Sequence, residues 1–535
     1  MVVRFFLAPR NTNCGHMPVQ FYDTVSIHGP VAIEGNLTGI DASVSVTGNV
    51  AGITAPVGVS GNIEGITANV STVVLGNVGG ITAPVSVSGN IEGITANVST
   101  FVLGNVAGIT ANVSTVVLGN VAGITSKVTV VGNGGTIGYV SSRDTGHDDA
   151  FGRLRVSNPD VISSFKRVGA TPDLRMTTSV SGSGAITFDA NLAATRMTVG
   201  SAVGTTVRQT MSRGIYQPGR SLLLYQTFVM APARSNLTQQ VGYFDTQNGI
   251  FLRNSNNVTS FVRRSFATGA VTEEVVPQSS WNVDKMDGTG VSGIAANLQL
   301  SQNLAMDLEW LGVGRVRAGF VIGGEMFVAH QFLNTNRLDR VYMSNPNLPV
   351  RWENYSTGAI AGVANLDAIC YSLMSEGGFD ITGVQMCSDT SNVAVTLTSW
   401  QSKELMAIRI RADCTSYVTS YLESLTIMNT SAGAFRWRIV VNPTATVAGT
   451  WANVDSFGSI MEVNKTRTVT IDTGAQVMAG YSPGSSALAT LSGATPVVTM
   501  GTNLAGTTDV LSVVVTSLSN QNETYYASLG WRELY

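Results

Sequence analysis

The sequence predicts an all-β protein, with an N-terminal β-repeat fibrous shaft followed by two antiparallel β-sandwich domains of jelly-roll-like type. Gly-Asn pairs recur every 13 or 15 residues between positions 35 and 132. Beyond position 160, short runs rich in aromatic and β-branched residues alternate with Gly, Asn, Asp and Pro. Only 12% of the 535 residues are charged although 44% are hydrophobic, against about 25% charged in ordinary soluble domains. The chain is therefore expected to bury surface by oligomerising.

Composition and charge exclude several classes of protein. No stretch approaches the roughly 20 consecutive apolar residues of a membrane helix, so no membrane insertion is expected. The net charge of -3 argues against a basic nucleic-acid-binding face. The start, MVVRFFLAPR, lacks a small-residue cleavage site and is a poor secretory signal. The four cysteines are widely spaced and predict buried free thiols rather than disulfides or a metal site: Cys14, Cys370, Cys387 and Cys414.

The shaft is assigned to residues 35–140, after an attachment segment at residues 1–34. A Val or Ile lies two residues before each Gly-Asn pair, and an Ile lies five residues after its Gly. Repeats of 13 and 15 residues differ by two, the side-chain period of a strand, so both lengths keep these residues on one face. The predicted seam consists of Val46, Ile53, Val59, Ile66, Val74, Ile81, Val87, Ile94, Val102, Ile109, Val117 and Ile124.

Such a ribbon cannot bury its own seam, and its open edges would invite aggregation. Three chains wound about one axis would cover the seam, and the repeat resembles the β-structured shafts of trimeric viral fibres. A single-chain β-solenoid is the alternative interpretation. Glu64 and Glu92 occupy equivalent repeat positions and are interpreted as outward, solubilising carboxylates rather than an axial metal or proton site.

A charged segment at residues 141–159 is predicted to be a collar between the shaft and the body. It holds His147, Asp148 and Asp149, interpreted as part of a solvated ion-pair network rather than a metal or catalytic cluster. The body divides into sandwiches at residues 160–380 and 381–535. Strand-like runs include SLLLYQTFVMA, QVGYFDT, GIFLRN and RVRAGFVI in the first, and FRWRIVVN and DVLSVVVTSL in the second.

Candidate chemistry in the body is weak, and we predict no catalytic, cofactor-binding or metal-binding residues and no cofactor. Glycoside hydrolysis requires two carboxylates about 5–10 Å apart. The candidate pairs are Asp284 with Asp287, Glu273 with Glu274, and Glu376 with Asp380.

Two glycine-containing patterns in the body resemble ligand-binding loops. The stretch from Asp284 to Gly290 is similar to part of a calcium loop but lacks the distal Glu, so Asx turns are favoured. Gly312, Gly314 and Gly319 miss the dinucleotide fingerprint and are interpreted as bulge or turn glycines. Most of the seven tryptophans are expected in the cores, with one or two at loop tips able to contact glycan.

Several long motifs after Phe151 resemble segments of structural proteins of tailed bacteriophages: FGRLRVSNP (151–159), WNVDKMDGTGVSG (281–293), DLEWLGVGRVRAGFVI (307–322), VYMSNPNLPVRWE (341–353) and the stretch LGWRELY. The resemblance implies a virion structural protein without enzymatic activity, a homotrimeric fibre or spike. Its N-terminus would bind other virion proteins of the capsid, neck or tail, and its C-terminal sandwiches would face a host surface glycan or receptor. The alternatives are a capsid decoration or head fibre protein without a receptor role, and a polysaccharide-degrading tailspike.

Overall fold

The structure is a computed structural model that forms two compact units, Met1–Val140 and Ser141–Tyr535. It describes residues 148–155, 158–170, 174–380, 382–391, 393–415, 417–431, 433–455, 458–483 and 498–535, together with the backbone of twelve short strands between positions 46 and 124. The attachment segment at 1–34 and the first part of the collar, including His147, lie outside the described residues. Among the described residues, no helix is long and apolar enough to cross a membrane.

The first unit contains twelve short strands, two per repeat. They are β1 (Val46–Thr47), β2 (Val50–Ala51), β3 (Val59–Ser60), β4 (Ile63–Ile66), β5 (Val73–Val74), β6 (Val78–Ile81), β7 (Ser86–Val87), β8 (Ile91–Ile94), β9 (Ser99–Val102), β10 (Val106–Ile109), β11 (Ser114–Val117) and β12 (Val121–Ile124). Odd-numbered strands form one six-stranded parallel sheet and even-numbered strands form a second. Each strand therefore pairs with the equivalent strand of the next repeat.

The register of these sheets aligns equivalent repeat positions. Val46 pairs with Val59 across a 13-residue repeat, and Val59 pairs with Val74 across a 15-residue repeat. Ile66 likewise pairs with Ile81. Both repeat lengths thus keep the same backbone register. Both the trimeric shaft and the single-chain solenoid stay predictions, because the side chains of the seam lie outside the described residues.

The first sandwich contains thirteen strands and one short 3-10 turn at Gln278–Ser280. The strands are β13 (Asp160–Lys166), β14 (Met176–Asp189), β15 (Ala194–Thr210), β16 (Ser221–Met230), β17 (Leu237–Phe244), β18 (Gly249–Ser255), β19 (Val258–Ser265), β20 (Thr272–Pro277), β21 (Gln302–Leu308), β22 (Val316–Ile322), β23 (Glu325–Phe332), β24 (Val350–Ser356) and β25 (Ala364–Glu376).

These strands form one antiparallel sheet that curls over a single core. Its main order is β20-β19-β18-β17-β24-β15-β25-β16-β21-β22-β23, with β13 also paired to β25 and β14 to β15. Leu252 from one end of this order and Phe320 from the other belong to the same buried cluster, which also holds Trp352 and Met306. Strands far apart in the sheet can share one core only if the sheet folds back on itself, as in a β-sandwich.

The second sandwich follows β25. Its strands are β26 (Val384–Asp389), β27 (Val395–Leu397), β28 (Ser402–Ile410), β29 (Thr419–Asn429), β30 (Phe435–Val441), β31 (Ala445–Val447), β32 (Trp451–Asn453), β33 (Met461–Asn464), β34 (Thr468–Val469), β35 (Ala475–Ser482), β36 (Thr499–Met500), β37 (Val510–Ser517) and β38 (Glu523–Leu534).

Two sheets pack face to face in this part of the chain. One has the order β26-β38-β29-β36 with β27 beside β38, and the other runs β32-β33-β28-β37-β30-β35. Leu529 and Trp531 of the first sheet share a core with Ile408 and Val513 of the second. None of the pairings between described strands joins these sheets to the sheet of the first sandwich.

Candidate functional site

The segment just after the predicted shaft is fixed to the first sandwich by hydrogen bonds. The backbone of Ala150 accepts from the guanidinium of Arg315 at 2.9 and 3.1 Å, and its N–H donates to the Ser221 hydroxyl at 3.3 Å. The guanidinium of Arg317 donates to the backbone carbonyl of Asp148. Residues 148–150 are buried as a result.

A buried ion-pair network holds the same segment through Arg155. This guanidinium pairs with both Asp307 on β21 and Glu376 on β25. Asp307 also accepts from Arg317 on β22, with 2.9 Å between Oδ1 and Nε. Asp307 and Arg317 are fully buried, and Glu376 is 8% exposed. Each charge therefore has an opposite partner at hydrogen-bond distance, as a buried charge requires.

The network corrects the expectation of a solvated ion-pair cluster in the collar. Asp148 and Asp149 are 6% and 4% exposed, and Asp149 pairs with Arg153 at 2.6 Å. Burial raises the pKa of Glu376, and the hydrogen bond and charge of Arg155 offset only part of that shift. Residues 148–150 are thus embedded in the sandwich rather than hydrated, whereas residues 152–154 are exposed.

A second polar feature lies on the outer face of the first sandwich, on the side of the sheet opposite the core. In the β18-β17-β24 register, Gln240 lies between Arg253 and Glu353, and residues opposite each other in register point to the same face. A depression of about 320 Å³ opens here, which we call the outer groove. It is lined by Thr205, Gln240, Thr246, Arg264, Val271, Glu273, Arg351, Glu353 and Tyr355.

Two buried phenylalanines form the base beneath the groove. Phe244 and Phe251 are fully buried, with ring centroids 4.3 Å apart. Phe251 lies opposite Gly242, where an added Cβ would meet the Phe251 side chain at 2.5 Å, so a larger residue would displace the ring. The guanidinium of Arg264 lies 4.8 Å from the Phe251 centroid, and that of Arg351 lies 5.4 Å from the Phe244 centroid. Cations over aromatic rings are attracted by the ring quadrupole, which fixes both arginines in place.

The arginines are also fixed by carboxylates. Glu273 accepts from Arg253 through both oxygens at 2.8 Å and from Arg264 at 2.9 Å. Glu353 pairs with Arg351 at 3.2 Å. Burial raises the pKa of Glu273, but the hydrogen bonds and charges of the two arginines lower it by more, so the net shift is downward. Glu273 therefore stays an ionised acceptor at neutral pH.

A cleft of about 430 Å³ separates the two sandwiches beside a small apolar contact. Ile215 of the first sandwich packs there with Tyr421 and Leu534 of the second. Arg220 and Asp380 form an ion pair at the cleft wall. These contacts join the two sandwiches within one compact unit.

In two of the three carboxylate pairs considered as glycosidase candidates, the structure separates the two side chains. Glu273 faces the outer groove, whereas the adjacent Glu274 pairs with Arg263 on the opposite face of β20. Glu376 is buried in the junction network, whereas Asp380 is exposed at the cleft. Neither pair presents two carboxylates to one space.

The calcium-like loop forms Asx turns, as the sequence favoured. Asp284 accepts from the backbone N–H of Met286 at 2.8 Å, and Asp287 accepts from that of Thr289 at 2.9 Å. Among the described residues, no group of three or more His, Cys, Asp or Glu side chains could hold a metal ion.

The glycine string also agrees with the interpretation as bulge and turn residues. Gly312 has a left-handed φ of 78°, and Gly319 sits at a register shift in the β22–β23 pairing. No phosphate-binding helix follows these glycines in the described chain.

Tryptophan and cysteine burial follows the expectation in part. Trp281, Trp352 and Trp531 are buried, whereas Trp400 is 62% exposed and donates to Asn520 at 3.0 Å. The three described cysteines are free; one is exposed, which corrects the expectation of uniformly buried thiols. In chain order they are Cys370 (half-buried), Cys387 (exposed) and Cys414 (buried).

Comparison with known proteins gives distant structural similarity only. No family model matches the chain, and no curated protein matches it. The carbohydrate recognition domain of Emp47p is 10% identical over 41% of this chain and 97% of its own, with a TM-score of 0.27. A protein of unknown function from Shewanella oneidensis is 12% identical over 42% and 90%, with a TM-score of 0.28. A β-1,3-1,4-glucanase from a mouse hindgut metagenome is 11% identical over 40% and 99%, with a TM-score of 0.25. Similarity this weak carries no information about ligand or activity.

Proposed function

We propose that the chain is a structural protein of a tailed-phage particle, a homotrimeric fibre or spike. Its N-terminal segment binds other virion proteins, residues 35–140 form the shaft, and the two sandwiches face the host surface. The proposal rests on the resemblance of the motifs after Phe151, on the repeat, and on the junction that follows it.

The observation that carries the proposal is the way the segment after the repeat enters the body. Arg155 belongs to the motif FGRLRVSNP, and Asp307 and Arg317 belong to DLEWLGVGRVRAGFVI. Two phage-like motifs that lie about 150 residues apart thus supply the partners of one buried ion-pair network. Residues 148–155 are therefore part of the folded body, and motifs far apart in the sequence meet in its buried interior, which supports assigning both motifs to one head.

We further propose that the protein acts by binding and not by catalysis. Glycosidases use a general acid whose pKa is raised in an open site. In the outer groove the Glu273 pKa is lowered, and in the junction network the raised Glu376 is enclosed and paired with Arg155. Loss of viscosity of a host polysaccharide on incubation with purified protein would contradict this part of the proposal.

Native mass and particle imaging test the proposal together. The purified protein is expected at three times the 56.1 kDa chain, and antibody raised against residues 160–535 is expected to label projections on phage particles. Three linked heads would bind host cells by multivalent weak contacts. A monomeric native mass would contradict the trimer. Labelled particles with protein that fails to bind host cells would instead favour a capsid decoration protein.

A further inference from the structure

We propose that the outer groove of the first sandwich binds a neutral oligosaccharide through its hydroxyl groups. The inference rests on the proposed attachment function, since it names the site and the ligand class that attachment would use. Four properties of the groove support it: its rigidity, its charge balance, one unsatisfied acceptor and its size.

The groove walls are fixed before any ligand arrives. Arg253, Arg264 and Arg351 each stack on a buried phenylalanine and each pair with a groove carboxylate. The Arg351 guanidinium also donates to Gln209 at 3.0 Å. Side chains held in this way lose little conformational freedom on binding, so weak polar contacts are not offset by ordering costs.

The charges that line the groove balance. Among the residues that line the groove, Arg264 and Arg351 face Glu273 and Glu353, and all four side chains are at most 25% exposed. Arg253 is outside the lining and donates to both oxygens of Glu273. An anionic ligand would meet the carboxylates and a cationic ligand would meet the guanidinium groups. A hydroxyl group both donates and accepts, so a wall that alternates ionic donors and ionic acceptors suits a polyhydroxylated neutral ligand.

Gln240 supplies an acceptor that none of the described residues satisfies. It is 1% exposed, it lines the groove, and its Oε1 has no hydrogen-bond partner. Buried polar atoms are nearly always paired, and an exception calls for an explanation such as a missing ligand. A sugar hydroxyl that donates to Oε1 would satisfy this atom.

The size and one wall of the groove also fit a sugar. A volume of about 320 Å³ lies at the lower end of the roughly 300–1,000 Å³ of ligand sites, which suits one or two sugar units of a longer chain. Tyr355 on β24 lies diagonal to Gln240 across the β17–β24 pairing. It adds an aromatic side chain to the groove, an amphipathic surface that packs against the C–H face of a pyranose.

The test uses the full-length protein on an array of defined bacterial surface oligosaccharides, both neutral and uronate- or phosphate-bearing. Wild-type protein is expected to bind at least one neutral oligosaccharide, with little change as salt increases. Gln240→Leu is expected to weaken that binding at least tenfold. Its melting temperature should match or exceed that of wild type, because the substitution removes an unpaired buried polar atom. A purely structural role for Gln240 would instead lower the melting temperature.

Matched controls come from the second sandwich. Gln385 is an exposed glutamine on β26 and Tyr481 is a 72% exposed tyrosine on β35. Gln385→Leu and Tyr481→Ala should leave binding unchanged, whereas Tyr355→Ala should weaken it.

Three results would overturn the inference: no binding on the array, binding only to acidic oligosaccharides with steep salt dependence, or full binding by Gln240→Leu. Loss of binding in Trp400→Ala with retention in Gln240→Leu would place the contact at the exposed loop instead. These outcomes leave the native mass and particle labelling untouched, so failure of the groove and failure of the fibre proposal are separable.

Discussion

Replacing Arg155 with methionine tests whether the buried network holds the junction to the first sandwich. The variant keeps an unbranched apolar stem but leaves Glu376, 8% exposed, without the guanidinium that pairs with it. Removing one partner of a buried pair costs about 3–5 kcal/mol, and Asp307 keeps Arg317, so we expect about 3 kcal/mol. For a domain of this size, 1 kcal/mol lowers the melting temperature by about 2–4 °C, which gives a decrease of roughly 6–12 °C.

The assay combines thermal unfolding with limited trypsin digestion. Arg153 has a half-exposed side chain in the anchored segment, so loosening the segment should increase cleavage there and separate the N-terminal part from the body. Arg340→Met is the matched control, because Arg340 forms a surface pair with Asp339 and its loss should leave the melting temperature unchanged. If Arg155→Met has the same melting temperature as the wild type and is cleaved by trypsin at the same rate, the network does not hold residues 148–155 to the first sandwich.

Three further predictions concern the body. Burial lowers the pKa of His330 from 6.5 to about 4, so the folded state binds this proton less readily than the unfolded state. The free energy of unfolding should therefore be unaffected by this group above pH 6.5 and decrease by at most about 3 kcal/mol as the pH falls to 4. In His330→Gln, the melting temperature should decrease less than that of wild type over the same pH range. Iodoacetamide should modify exposed Cys387 before buried Cys414, whose thiol pKa is raised by burial; equal rates in peptide mapping would contradict this. Gly319→Ala should destabilise by about 1–3 kcal/mol, because its Cβ would lie 1.9 Å from a carbonyl oxygen of β23. Gly169→Ala, at an open position, should melt like wild type.

Much of the fold could be predicted from local pattern. The β class follows from short β-branched runs between turn residues, and the backbone register of the repeat follows from the 13- and 15-residue spacings. The Asx turns at Asp284 and Asp287 follow from their short polar side chains. Strand alternation alone could also have shown that Glu273 and Glu274 face opposite sides of one strand.

The two polar sites could not be predicted, because strand order brings their members together from distant parts of the chain. Gln240 and Glu353 become neighbours only because β17 pairs with β24, across more than 100 residues. Arg155 meets Asp307 and Glu376 through strands that begin far downstream. Composition showed charged residues in the collar but not their burial, which depends on those distant strands.

The central place of β25 in its sheet sets the timing of folding during synthesis. β25 pairs with β13, β15 and β16, and the pairing of Asp160 with Ser375 spans 215 residues. At roughly 5–20 residues per second, the ribosome needs about 10–40 s to make that stretch. During this interval the apolar strands made earlier lack their β25 partner. The repeat that precedes them has almost no charge, so repulsion between nascent chains is weak. Chaperone supply and translation rate, rather than the stability of the finished fold, should therefore limit the yield of soluble protein.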